Sequence, residues 1–230
     1  MAAQICTLCG VNPATTTEHV PAKQLWDPPR PSDLITVPAC EHCNQGTQPD
    51  DDYFRSTLAL VAEQTPSAAL ESIRPNVTRG FARPQGAGLR AHFEQRMSFR
   101  PLGGGVIHQP VLNANSDRLH KVVTKHALGL FYHVVRRPLA TAYGVIVLPE
   151  RWLNRIPAED RPLWENVMAR ALDGHRQEIG DGRVFKFALQ ISDDDPNDFV
   201  AVLRYYDNFA YAARSCELAA APATVQLPPQ

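Results

Sequence analysis

Apolar positions recur at helical spacing most clearly over residues 117–136, where Leu119, Val122, Val123, Ala127, Leu130, Phe131 and Val134 form one stripe. Asp117 or Ser116 can cap the start of this helix, and Arg136 and Arg137 complement its negative end before Pro138 stops it. Lys121, Lys125 and His126 fall on or beside its polar face, and Gly129 within it marks close packing. A second helical pattern, Tyr53, Phe54, Leu58 and Val61, follows Asp50, Asp51 and Asp52, whose carboxylates favour a helix N-terminus. Gly46 to Pro49 is expected to separate it from any short helix starting near Cys40. A third helix is expected over 157–172, anchored by Leu163, Trp164 and Val167. Strands are expected at Tyr143–Leu148, a buried apolar run, and at Val184–Ile191, which alternates. Phe199–Tyr205 and Phe209–Ala213 read as a hairpin across Asp207 and Asn208. Three consecutive threonines favour a short strand over Thr15–Val20. Residues 89–99 read as another strand, with Gly103 to Gly105 as a turn before Val106–Leu112. Between 65 and 88 the prolines and glycines argue against long regular elements.

Composition then narrows the class. With 44% hydrophobic and 20% charged residues, the 230-residue chain reads as globular, with room for one large domain or two small ones. No apolar run reaches membrane-spanning length and the N-terminus lacks a basic region followed by an apolar core, so a cytoplasmic protein with no membrane partner is expected. A net charge of −1 alone argues against nucleic-acid binding, but its distribution does not. Residues 1–70 carry 3 basic and 8 acidic side chains, residues 71–137 carry 11 and 3, and residues 138–230 carry 9 and 13. The middle third, at +8, is what a phosphate-contacting face would produce; the alternative is charge spread around the fold. Arg74, Arg79 and Arg83 on the connector, with Lys121 and Lys125 on the next helix, are the candidate contacts.

The sharpest local signal is a pair of Cys-x-x-Cys units, Cys6/Cys9 and Cys40/Cys43, with thirty residues between them. This spacing reads as a four-thiolate structural zinc site, because a two-residue spacer lets one tight turn supply two of four tetrahedral ligands. Disulfides are the alternative, disfavoured where no secretory signal precedes the cysteines. His42 inside the second unit is expected to be exposed, and the unpaired Cys216 to be a buried thiol.

Between and beyond the cysteines stand Glu18-His19-Val20-Pro21 and Val37-Pro38-Ala39-Cys40, with Asn44 directly after Cys43. Together these motifs, over about residues 5–60, resemble the four-cysteine branch of the HNH endonucleases. The resemblance implies a zinc-bound ββα-metal, treble-clef-like unit, with His19 as general base and with Asn44 and Glu18 as ligands of a catalytic divalent ion. The chain departs from the pattern at its middle asparagine, where Ile35 stands and the nearest polar-Leu pair is Asp33-Leu34. The helix around Lys125 and Gly129 is also similar to one in bacterial HNH proteins.

The chemistry agrees with that resemblance. Phosphodiester hydrolysis needs water, a base and a cation, and a histidine titrating near neutrality suits the base. A carboxylate and an amide oxygen suit Mg²⁺ or Mn²⁺ rather than a thiolate zinc. Neighbouring residues on a regular strand face opposite ways, so Glu18 and His19 share an ion only if the backbone bends. His19 as a structural histidine and Asn44 as a helix cap are the bland alternatives. The expected class is α+β: a zinc-stabilised nuclease unit over 1–62, a basic loop-rich connector over 63–88, an α+β domain with an antiparallel sheet over 89–218, and a flexible tail over 219–230. The expected activity is metal-dependent cleavage of DNA, with RNA also open. The alternative is a zinc-containing nucleic-acid-binding module without catalysis.

Overall fold

The computed structural model describes residues 4–61, 67–102 and 107–219. At the N-terminus, β1 (Thr16–His19) pairs antiparallel with β2 (Thr36–Ala39), Thr16 opposite Ala39 and His19 opposite Thr36. β2 runs through Cys40 into α1 (Glu41–Val61), which continues unbroken through Gly46 and Pro49. The expected interruption there is therefore corrected. Both residues lie on the exposed side, where a missing N–H costs least. The Pro49 carbonyl accepts a bond of 2.6 Å from Arg118. Tyr53, Phe54 and Leu58 are buried along one side of α1, as their spacing predicts.

The segment read as a loop-rich connector contains α2 (Ala68–Ala82), and α3 (Ala87–Arg96) replaces most of the strand expected over 89–99. Leu70, Ile73 and Val77 recur at helical spacing and are buried, while Pro75 faces solvent. Tertiary packing of that stripe outweighs the proline penalty. Phe93 buries α3 by stacking on Tyr53 with ring centroids 5.0 Å apart. A two-stranded hairpin follows, β3 (Met97–Leu102) with β4 (Ile107–Leu112); the glycine turn expected between them lies outside the described residues.

The long stripe becomes α4 (Ser116–Val135). Its cap is Asn115, one residue before the expected candidates, whose side chain accepts from the Arg118 amide at 3.2 Å. Arg136 closes the helix in the left-handed region at φ 64°. Then come β5 (Tyr143–Pro149), α5 (Arg161–Asp173), β6 (His175–Ile179), β7 (Phe185–Ile191), β8 (Phe199–Tyr205) and β9 (Phe209–Glu217). The helix expected from 157 starts four residues later, and Leu163, expected to anchor it, is 43% exposed, while Trp164 and Val167 do pack. The edge strand β6 was not expected from the sequence. Cys216 is half-buried rather than buried.

These five strands form one antiparallel sheet in the order β5-β9-β8-β7-β6. Strand alternation sorts β8 cleanly. Phe199, Ala201, Leu203 and Tyr205 join the core of α1 and α4, while Val200 and Val202 join a second cluster under Trp164 and Val167 of α5. With helices on both faces, β8 reads as continuous apolar sequence. The β8–β9 turn is centred on Tyr206 and Asp207, both at positive φ, one residue before the expected pair. Tyr206 is held in that costly conformation by its hydroxyl, which donates to the Leu25 carbonyl at 2.6 Å. The α4-side core also takes in Val20, Leu25, Trp26, Ile35 and Val37, so it crosses the boundary drawn at residue 62.

Candidate functional site

The two Cys-x-x-Cys units meet. The four thiol sulfurs of Cys6, Cys9, Cys40 and Cys43 all lie within 4.8 Å of one another. Zinc at about 2.3 Å from each sulfur would set the sulfurs roughly 3.8 Å apart, so the cluster could hold such a metal with little movement. Local geometry explains the convergence. The first unit turns on Gly10, at φ +66°, whose amide donates to the Cys6 carbonyl at 2.9 Å. Thr7 N–H donates to the Pro38 carbonyl at 2.9 Å, tying that turn to the end of β2. Cys40 and Cys43 sit at the start of α1. Hydrogen bonding from the Cys43 backbone amide, against a smaller effect of burial, holds the Cys40 thiol down at about 6. Burial and the neighbouring sulfurs push Cys43 up. Crowded sulfurs of this kind are what a dication relieves. His42 is exposed, as expected.

Next to the cluster, a polar seam joins β1, α1 and α4. Asn44, Thr47 and Asp51 recur at i, i+3 and i+7 along α1 and face β1. Asn44 Nδ2 donates to Thr16 Oγ1 at 3.0 Å and to the Thr17 carbonyl at 3.2 Å. Lys125 Nζ donates to Glu18 Oε1 at 3.3 Å, Thr47 Oγ1 at 3.4 Å and Asp51 Oδ2 at 2.5 Å. All three donors of the ammonium are used, and the lysine is 3% exposed. Lys125 is therefore corrected from a phosphate contact to an internal cation, and Asp51, within the run read as a capping group, to part of a buried ion cluster. Burial pushes Asp51 up to about 6, against the pull of Lys125, and its second carboxylate oxygen has no hydrogen-bond partner among the described residues.

Glu18 is in regular register opposite Val37 and points into this seam. His19, one residue on, faces the other way, so the strand does not bend to bring the two together. The His19 ring is half-buried, with no hydrogen-bond partner among the described residues. Burial, then the charge of Lys23, and more weakly Arg30, hold its pKa down against the opposing effect of Glu18. Asn44 bonds the strand at Thr17, two residues and roughly 6.6 Å before His19. Ile35 sits in the core, its carbonyl accepting from Val20, and Asp33 binds the Gly180 amide at 3.0 Å through both oxygens. Neither hydrogen-bonds His19 among the described residues.

The chain after His19 is fixed by a residue read as polar-face. His126 is fully buried, accepts from the Ala22 amide at Nε2 (3.3 Å) and meets the Tyr205 hydroxyl at Nδ1 (2.7 Å). The first bond requires an unprotonated Nε2, so Nδ1 carries the proton; burial holds the ring neutral.

Of the other basic candidates, Arg79, Arg83 and Lys121 are exposed and Arg74 half-buried. Arg79 donates to Asn76, which in turn donates to Asp27. Arg83 lines a groove of about 1050 Å³ between α1, α2 and α3, with Arg55, Arg118 and His92. Gln45, Gln48 and Asp52 of α1 also line it, on the helix face next to that of Asn44, Thr47 and Asp51. Sequence reasoning missed Lys23 and Arg30 beside His19 and the seam role of Lys125. The signal for Lys125 was available: it falls inside the apolar stripe, between Val122 and Gly129, where a lysine needs a buried partner. Comparison with protein-family models, with curated proteins and with solved structures finds no match.

Proposed function

We propose that the protein is an HNH-type endonuclease that hydrolyses phosphodiester bonds in DNA, with His19 as the general base. The observation that carries this reading is the state of His19. Its imidazole has no hydrogen-bond partner among the described residues and is kept neutral by burial, with cationic Lys23 and Arg30 close enough to lower its pKa further. A neutral imidazole can take a proton from an attacking water, and two cations beside it favour a phosphate there. The strand carrying it is pinned by Asn44 and by the cysteine cluster, which restricts its motion. Arg83, Arg55 and Arg118 in the groove between α1, α2 and α3, with exposed Arg79 on α2, offer a basic surface for the flanking strand.

A second reading, a nucleic-acid-binding module without catalysis, is favoured by the seam. The resemblance implies a divalent ion on Glu18 and Asn44, but Glu18 is buried against Lys125. Among the described residues only the four cysteines bring three or more metal-ligating side chains together. The donor set of two carboxylates and a hydroxyl that would suit Mg²⁺ already holds an ammonium.

Nicking of supercoiled plasmid by the purified protein separates the two readings, with Mg²⁺, Mn²⁺ or chelator and with His19→Ala alongside. The proposal expects nicking that His19→Ala abolishes while zinc content and folding stay unchanged. Absence of nicking, together with salt-dependent DNA binding that weakens in Lys23→Ala and Arg30→Ala, establishes the second reading instead.

A further inference from the structure

A separate cleft of about 530 Å³ is built where the β3–β4 hairpin meets the start of α4, the turn after β5 and the strand β9. It shares no lining residue with the α1–α2–α3 groove. Arg100, Arg151 and Arg155 line it, and no carboxylate does among the described residues. None of the three makes an ion pair among the described residues. Glu150, the acid adjacent in sequence, turns to Arg204 at 3.9 Å. Three arginines with no carboxylate among the described lining residues raise the local potential of a concave site and favour an anion there.

Two further features bear on the anion. His120 lines the cleft with its Nε2 buried and without a hydrogen-bond partner among the described residues. Its ring meets Trp152 edge-on, centroids 6.3 Å apart, and Trp152 and Tyr211, 8% and 4% exposed, form the floor of the cleft. The cleft is thus cationic at its rim and aromatic at its base. Its volume is within the roughly 300–1,000 Å³ typical of small-ligand sites. A bare inorganic anion would leave the aromatic floor of the cleft uncovered.

We propose that this cleft binds a nucleotide, its phosphate on Arg100, Arg151 and Arg155 and its ring system against Trp152 and Tyr211. The arginine forks match phosphate oxygens in pairs, and the aromatic floor matches a base or sugar face. Two sources share this chemistry: a free nucleotide, and the phosphorylated end of a nucleic-acid strand. The site does not depend on the endonuclease reading, since it uses no residue of the hairpin that carries His19.

The test is calorimetric titration of the zinc-loaded full chain with inorganic phosphate, adenosine 5′-monophosphate, and a ten-nucleotide oligothymidine with and without a 5′-phosphate. The monophosphate should saturate one site and bind more tightly than inorganic phosphate. Arg151→Ala/Arg155→Ala should weaken it by about tenfold or more, whereas Arg183→Ala, an exposed arginine paired with Asp181 elsewhere, should leave it unchanged. Both arginines are exposed, so the double variant should keep the wild-type melting profile. Trp152→Phe should remove most of the fluorescence change on binding while calorimetric binding persists. Preference for the 5′-phosphorylated oligonucleotide over the unphosphorylated one identifies a strand end; equal weak binding of both identifies the free nucleotide. No saturable binding of any probe, or undiminished affinity in the double variant, overturns the proposal.

Discussion

At the cysteine end, the local apolar cluster is Cys6, Ala39 and Cys40, flanked by partly buried Leu8, Cys9 and Cys43. At the sheet end, β8 packs Phe199, Ala201, Leu203 and Tyr205 to one side and Val200 and Val202 to the other, each against a helix. Burial of apolar area alone can hold the sheet. It cannot hold the first turn of the chain, whose residues have little to bury. That end depends instead on what the sulfurs bind and on the Glu18–Lys125–Asp51 cluster. The functional candidates His19 and Asn44 sit between these two regimes, His19 directly before the core residue Val20 and Asn44 directly after Cys43, where a site can be exposed without dismantling the core.

The largest effect should come from the sulfurs. Cys40→Ser or Cys43→Ser should eliminate stoichiometric zinc and release the hairpin, since such a site contributes about 10–16 kcal/mol of apparent binding free energy to folding. Amide exchange should rise across β1, β2 and the first turns of α1, while β7, β8 and β9 keep their protection. Retention of full zinc in both variants, or equal loss of protection in the sheet, would remove the contrast between the two ends.

The next effect concerns the buried ions. Lys125→Met should cost about 3–5 kcal/mol at neutral pH, because two carboxylates then lie buried without a cation. Its pH dependence fixes the cause. The folded pKa of Asp51 is raised to about 6 from an ordinary value of 3.8. Its contribution is therefore fully present below 3.8 and is lost as pH rises through about 6. Removing Lys125 raises that folded pKa further, so the penalty in the variant should shrink as pH falls through 6. Denaturant midpoints of both proteins between pH 4 and 8 measure this. A penalty independent of pH would mean that the methionine fails to pack, and that the charges contribute little.

Sequence pattern revealed the sheet end well and the cysteine end unevenly. The apolar runs of β5, β7 and β8 and the stripe of α4 were readable because burial on a periodic element leaves a periodic trace. The four cysteines were readable because metal geometry fixes their spacing. α2 was hidden by Pro75 and Gly80, although Leu70, Ile73 and Val77 carried the helical period beneath them. The seam was hidden for a different reason. Lys125, Glu18 and Asp51 are each ordinary surface residues by type, and only long-range contact makes them internal. His19 stood out by its neighbours in sequence, but the cations that tune it, Lys23 and Arg30, lie on a loop that no periodicity describes.

The smallest effect tests how the two ends are joined. Gly129 was expected to mark close packing, and what approaches it is Val20, the residue directly after His19. A Cβ added at Gly129 would lie 2.4 Å from Val20 Cγ2 and 2.7 Å from Cγ1, closer than carbon atoms can pack. Val20 is itself fully buried, so it cannot rotate away into solvent. Gly129→Ala should therefore destabilise the protein by about 1–3 kcal/mol through overpacking, even though alanine is the better helix former by about 1 kcal/mol. The strain should fall on the chain at Val20 rather than on the regular hydrogen bonds of α4. If so, the Ala22–His126 bond lengthens and His19 shifts, and nicking or DNA binding drops further than the folded fraction does. Gly129→Ala paired with Val20→Ala should recover much of the loss, since the smaller side chain vacates the volume that the new methyl group takes. A stabilised Gly129→Ala, or a double variant whose losses simply add, would show that α4 and the hairpin are not in the close contact that positions His19.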